Sequence, residues 1–219
     1  TGAFQLGRRT AKCWKLEGHG KMNMRQAIQH SCDVWFYQVG LKLSPDDIRK
    51  AGEVFGLGSG TGIDIVGEKF GLLPDTEWYD KHLGKKGWTR GILLNLAIGQ
   101  GEVLVTPIQL ASYASILANR GYSYPPHFAD LLIDRSSGEE IRFNWPRQEI
   151  ELSERTWKLI ERSSRDVIET PGGTAHFLKR HDYQVAGKTG TAENPHGDDH
   201  SLFMAWMPEP DPEVVAVAV

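Results

Sequence analysis

Two cysteines, Cys13 and Cys32, are too few to staple a fold of 219 residues. The chain must therefore stand on a hydrophobic core. Its 40% of apolar residues are enough for one domain, or for one large piece of a bigger domain. No apolar run reaches the roughly 20 residues that cross a bilayer, and no leader peptide stands at the start. Positive charge is not in excess. Lys and Arg number 25 against 28 Asp and Glu, a net charge of −3, so no basic face is implied and nucleic acid is not an expected partner. Internal repeats and low-complexity segments are absent too. An initiator methionine is also missing at Thr1, and the run Glu213–Val219 reads as a strand with no turn after it. Both ends thus read as cut, and the chain is expected to be a fragment.

Elements follow from local signals. Thr10–Lys21 reads as irregular around the triplet Gly18-His19-Gly20. Met22–Leu43 reads as helix broken near Ser31-Cys32-Asp33. Ser44-Pro45-Asp46-Asp47 starts another helix: Ser44 caps, Pro45 suits the first turn, and the acids suit the positive end of the helix dipole. Residues 56–92, rich in glycine and aromatics, read as long loops. Thr106-Pro107 opens the clearest helix, with Leu110, Ala114 and Leu117 on one stripe and Gly121 as its stop. Two short strands are expected in 128–134 and 139–143, and Ser153 caps a helix through about Glu169. Strands at Tyr183–Glu193, Ser201–Met207 and Glu213–Val219 follow, the last two joined by a turn at Pro208–Pro212 and paired antiparallel. Helices first and strands last give an α+β class with an antiparallel sheet. The polar loop Asn194–Asp199 is expected to be mobile.

The chemistry concentrates in two stretches. Lys188-Thr189-Gly190-Thr191 puts a cation, two hydroxyls and a glycine at the end of a strand. Gly190 lets another backbone approach, and the lysine and threonines suit a carboxylate. Ser31-Cys32-Asp33 puts a hydroxyl and a carboxylate two apart at a helix break, where Ser31 can relay a proton and Asp33 can orient a lysine or an amide. A Ser-x-Asp or Ser-x-Asn far upstream of a Lys-Thr-Gly is two thirds of the motif set of penicillin-binding proteins and serine β-lactamases. The remaining motif, Ser-x-x-Lys with the nucleophilic serine, does not occur in the chain.

Six runs in order carry a resemblance: "GHGKMNMRQAIQHSCDVWFYQVG" (Gly18–Gly40), "GIDIVGE" (Gly62–Glu68), "AIGQGEVLVTPIQLA" (Ala97–Ala111), "GGTA" (Gly172–Ala175), "AGKTGTAE" (Ala186–Glu193) and "HSLFMAWMP" (His200–Pro208). The chain resembles the transpeptidase domain of class B penicillin-binding proteins, most closely the elongation-specific branch of penicillin-binding protein 2. The resemblance implies the penicillin-binding-protein and serine β-lactamase fold, an antiparallel sheet flanked by helices, present as a partial domain over residues 1–219. It lacks the upstream nucleophile segment and the extreme C-terminus, so the fragment itself is expected to be inactive.

The resemblance also implies an activity, D,D-transpeptidation of peptidoglycan stem peptides ending in D-Ala-D-Ala, with β-lactams as mimics. Ser31, Asp33 and Lys188 would be catalytic. Thr189, Gly190 and Thr191 would bind substrate along the free edge of the strand, with the Thr191 N–H as half of the oxyanion hole. Asp33 stands where many members have asparagine, which favours the elongation branch. Implied partners are membrane components of the elongation machinery, such as a glycosyltransferase of the shape, elongation and division type. Implied placement is a periplasmic domain of a protein anchored in the inner membrane. The rival readings are a D,D-carboxypeptidase or serine β-lactamase of the same fold, and a penicillin-sensing receptor domain without turnover.

Cys13, His19 and Cys32 form C-x₅-H-x₁₂-C, a thiol, imidazole and thiol set suited to zinc but one ligand short of a structural site. Some members of the resembled family hold zinc beside this motif, with a carboxylate standing where Cys13 does and a fourth ligand from upstream. A disulfide and two free buried thiols remain the other readings. No organic cofactor is expected.

Overall fold

The computed structural model describes residues 1–194 and 197–219. The loop Asn194–Asp199, expected to be mobile, includes Pro195 and His196, which lie outside the described residues. The chain opens with an antiparallel hairpin, β1 (Ala3–Leu6) against β2 (Arg9–Lys12), with Leu6 opposite Arg9. This corrects the reading of Thr10–Lys21 as wholly irregular. The hairpin hides in sequence because it buries only Ala11 fully, beside half-buried Phe4 and Leu6. The broken helix is found as α1 (Met24–Gln29) and α2 (Asp33–Gly40). Asn23 and Gln26 form a capping box at the start of α1.

Helix α3 (Pro45–Val54) begins at Ser44, whose side chain bonds Asp47 reciprocally, as the sequence suggests. Residues 56–92 are less irregular than expected, since α4 (Thr76–Leu83) lies among them, capped by Asp75. Only Tyr79 of α4 is buried, so its apolar stripe is a single residue wide. Then come α5 (Ile92–Leu96) and α6 (Pro107–Ala118), whose Thr106 and Gln109 form a capping box. A small lobe follows. In it β3 (Tyr122–Ser123) pairs a later strand, and β4 (Leu131–Ile133) pairs β5 (Glu140–Arg142), the two strands expected in 128–134 and 139–143. The partner of β3 is β6 (Gln148–Glu149).

Helix α7 (Glu154–Glu169) is capped by Ser153 and leads to the main sheet. Strands β7 (Gln184–Ala192), β8 (His200–Glu209) and β9 (Val214–Ala218) run antiparallel in the order β7-β8-β9. Strand β8 extends through Pro208, so the reversal into β9 falls later than the expected Pro208–Pro212 turn. Successive residues feed two cores. Ala186 and Trp206 join Ala114, Leu117 and Trp157, whereas Val185 and Ala205 join Val167, Ile168 and Ala175. Helix α7 packs on β7, and α6 packs on β8 and β9, which gives the antiparallel sheet its helical flanks. Helix α1 packs on α7, where Arg25 Nη2 donates to Asp166 Oδ1 at 2.9 Å. Burial works against the Asp166 carboxylate, but the bonds from Arg25 and Thr170 outweigh it and hold it below the usual carboxylate range. The Ser31 turn, at the end of α1, is thereby fixed relative to β7.

Candidate active site

Ser31 follows the last turn of α1 at φ 49, a left-handed conformation that non-glycine residues hold only where neighbours impose it. Trp14 imposes it. Its ring Nε1–H reaches both His30 O and Ser31 O at 3.0 Å, and its backbone N–H donates to Asp33 Oδ2 at 3.0 Å. Cys32 is the cap position of α2, and Asp33 is its first residue, placed at the positive end of the helix. A cleft of about 590 Å³ opens beside the turn, between Trp14, Glu17, His19, His30 and Gly172.

Lys188 reaches this turn from β7. Its Nζ donates to Ser31 Oγ in a short hydrogen bond and to Thr189 O at 2.9 Å. Burial lowers the Lys188 amine to about 8, against the opposing pull of the Asp33 charge. An amine poised there exchanges a proton with a bonded hydroxyl far more readily than a solvated lysine does. Asp33 acts on Lys188 through its charge, while its own hydrogen bond comes from Trp14.

The other side of β7 is the sheet edge. Thr189 O is held by Lys188, and Thr191 O accepts from Gln100 Nε2 at 2.5 Å. In an antiparallel strand the N–H and C=O of one residue point the same way, so the N–H of Thr191 also faces outward. The edge is not open throughout, which narrows the expectation of a free edge. Gln100 accepts from Glu193 N at 3.2 Å as well as donating to Thr191, so its amide stands in for one peptide unit of a fourth strand. The length left for a ligand lies upstream of that clamp. Gly190 fits this geometry. A Cβ there would come no closer than 3.3 Å, to Leu202 Cβ, and the φ is ordinary, so no strong demand inside the described protein calls for glycine. The Thr189 side chain instead pairs with Thr174, Oγ1 to Oγ1 at 2.8 Å.

The three zinc candidates also meet. The donor atoms of Cys13, His19 and Cys32 lie within 4.8 Å of one another. Cys13 Sγ is 3.6 Å from His19 Nδ1, and His19 Nε2 is buried without a hydrogen-bond partner among the described residues. Both thiols are free and buried, so the disulfide reading is not what the structure shows. Burial pushes the Cys32 thiol up.

Sequence reasoning missed three residues of this site: Trp14, Gln100 and Thr174. Gln100 and Thr174 stand inside the runs "AIGQGEVLVTPIQLA" and "GGTA", but a single amide or hydroxyl has no spacing that reveals its partner.

A Ser-x-Asp turn bonded to the lysine of an edge strand, with an outward N–H three residues further along that strand, defines the penicillin-binding class of serine acyl-transfer domains. The penicillin binding protein transpeptidase domain family matches residues 3–219, and the chain belongs to that family. It is 32% identical over 228 residues to the peptidoglycan D,D-transpeptidase MrdA of Acinetobacter baumannii, covering 94% of this chain and 32% of that protein. Among solved structures it is similar to penicillin-binding protein 2 of Helicobacter pylori, with a TM-score of 0.85, 29% identity, and coverage of 99% of this chain and 39% of that one. The complex between that protein and MreC, also from Helicobacter pylori, gives a TM-score of 0.84 at 30% identity, with coverage of 99% and 39%. The chain thus spans about a third of the length of the curated relative.

Proposed function

We propose that this domain serves a peptidoglycan D,D-transpeptidase of the elongation type. The observation that carries the reading is the Lys188–Ser31 hydrogen bond, formed beside the outward N–H of Thr191. A nucleophilic serine supplied from outside these 219 residues would attack the carbonyl between the two D-alanines. Lys188 and Ser31 would take its proton and pass it to the leaving amine of D-alanine. The Thr191 N–H would hold the developing oxyanion. Thr189 and Thr191 would bind the terminal carboxylate, and Gly190 would let the stem peptide lie along β7. An amine of a second stem peptide would then attack the acyl-enzyme, forming the cross-link and freeing the serine. β-Lactams would acylate the same serine.

Cys13, His19 and Cys32 fit a structural zinc as three ligands of a tetrahedral set, the fourth coming from elsewhere in the protein. Bound zinc would supply a rigid cross-link. Cys32 stands between Ser31 and Asp33, so that cross-link would set where both are presented. The MreC complex of a similar protein supports elongation-machinery partners, and the same reading adds a glycosyltransferase of the shape, elongation and division type. Anchoring in the inner membrane with this domain in the periplasm follows from the same reading. No described helix is long and apolar enough to cross a membrane.

The test uses the full-length protein with a pentapeptide ending in D-Ala-D-Ala and an amine acceptor. Release of D-alanine together with cross-linked product is expected. Release into water alone would replace the reading with a carboxypeptidase, and a stable acyl-enzyme without turnover would replace it with a receptor.

A further inference from the structure

The "GGTA" run has no part in the chemistry above, yet it touches both halves of the site. Gly172 sits at φ +82, where glycine is suited, and its carbonyl accepts from His30 Nδ1 at 2.8 Å. The Thr174 N–H donates to Gln29 O at 3.3 Å, and Gln29 Nε2 reaches Pro171 O at 3.4 Å. The loop therefore grips the end of α1, immediately before Ser31. From the same loop the Thr174 hydroxyl meets the Thr189 hydroxyl at 2.8 Å, on the strand that carries Lys188. Both threonines are half-buried.

The geometry points to Thr174 as the positioning residue that sets the Thr189 hydroxyl for an anionic ligand, an inference that rests on the transpeptidase reading of the site. A hydroxyl has one proton to give. In the Thr174–Thr189 pair either oxygen can be the donor. A carboxylate only accepts, so Thr189 must spend its proton on the ligand and receive one from Thr174. The chain Thr174 to Thr189 to carboxylate then runs in one direction, and each bond polarises the next. Thr174 touches no substrate atom. It holds the Thr189 rotamer and directs the proton outward, which favours a free carboxylate over a neutral terminus.

The experiment compares second-order acylation rates of the full-length protein by benzylpenicillin and by its methyl ester, in which the carboxylate proposed to face Thr189 loses its charge and gains one methyl group. Thr174→Val removes the hydroxyl at constant shape and should cut the rate for the acid up to about tenfold, the upper worth of one hydrogen bond between neutral groups. The ester rate should stay within about twofold, and Thr174→Ser should restore the preference for the acid. The ratio is taken on one preparation, so the active fraction cancels. If Thr174→Val does not fold, Thr174→Ala gives the same ratio. Equal losses for acid and ester, or no loss for either, would overturn the role of Thr174 while leaving the transpeptidase reading intact. A wild-type protein that reacts with neither, or that shows no preference for the acid, would remove that reading and this inference together.

Discussion

The pKa of about 8 at Lys188 ties stability and chemistry to one residue. Its ordinary value is 10.5, so between the two the unfolded chain binds more protons than the folded one. Stability therefore rises with pH across that window. Below it the buried charge is carried at full cost, and above it the cost is gone. Lys188→Met should raise the melting temperature at pH 6, and the gain should vanish by pH near 10.5, as thermal melts across that range would show. A gain that is the same at every pH would mean that packing, not charge, is at work. The same lysine should matter most to the chemistry: Lys188→Ala should slow acylation by roughly 10²-fold or more, the scale of losing one transition-state contact. Thr191→Ala should mainly weaken ligand capture, because its backbone donor survives. Stopped-flow acylation of both variants checks this, and equal mild effects would contradict the assignment. Ser31, Asp33 and Lys188 were legible in the sequence because fixed local spacings carry them. Trp14, Gln100 and Thr174 were not, because each acts through contacts with residues well separated in sequence, up to 93 positions away for Gln100 and Glu193.

Elements were legible where a cap and a wide apolar stripe coincide. Ser44, Thr106 and Ser153 each mark a helix start, and α7 buries Trp157, Val167 and Ile168 at helical spacing. Two of the misses are elements with one buried side chain each, Ala11 for β2 and Tyr79 for α4, and α5, which buries Leu93, Leu94 and Leu96, has no side-chain cap to mark its start. Two glycines separate stability from function. At Gly173 a Cβ would lie 2.3 Å from Val167 O and 2.4 Å from Asp166 O, so the loop that braces α1 and β7 cannot hold its shape around it. Gly173→Ala should cost roughly 2–4 kcal/mol, as steric overlap in a packed backbone does, and should slow acylation as well. Gly190→Ala should cost less than about 1 kcal/mol, since the neighbouring Leu202 side chain need give only a few tenths of an ångström, yet it should slow acylation strongly. Denaturant unfolding beside acylation kinetics distinguishes them, and a Gly190→Ala protein that is stable and fully reactive would remove the claim that ligand lies along β7.

On the scale of the whole molecule, the interior among the described residues divides into five small hydrophobic clusters, not one large core. One of them contains Cys13 and Cys32, so a metal held there would add a cross-link to that packing. The full-length protein, purified without chelator, should hold one zinc per chain by elemental analysis. Cys32→Ser should lose the metal and lower both the melting temperature and the acylation rate, because a shift near 1 Å at Ser31 costs about 10²-fold. A metal-free protein with full activity would contradict this. The family was legible from six runs in order, but the sheet-edge clamp and the hydroxyl pair depend on register, which no run reports. The central claim is that Ser31 and Lys188 serve a nucleophile that lies outside these 219 residues. Mapping the penicillin adduct on the full-length protein by peptide mass spectrometry tests it most directly. A single acyl adduct on a serine of a Ser-x-x-Lys motif beyond this chain, with none on the isolated 219 residues, is the expected result. An adduct on Ser31, or no adduct at all, would contradict it.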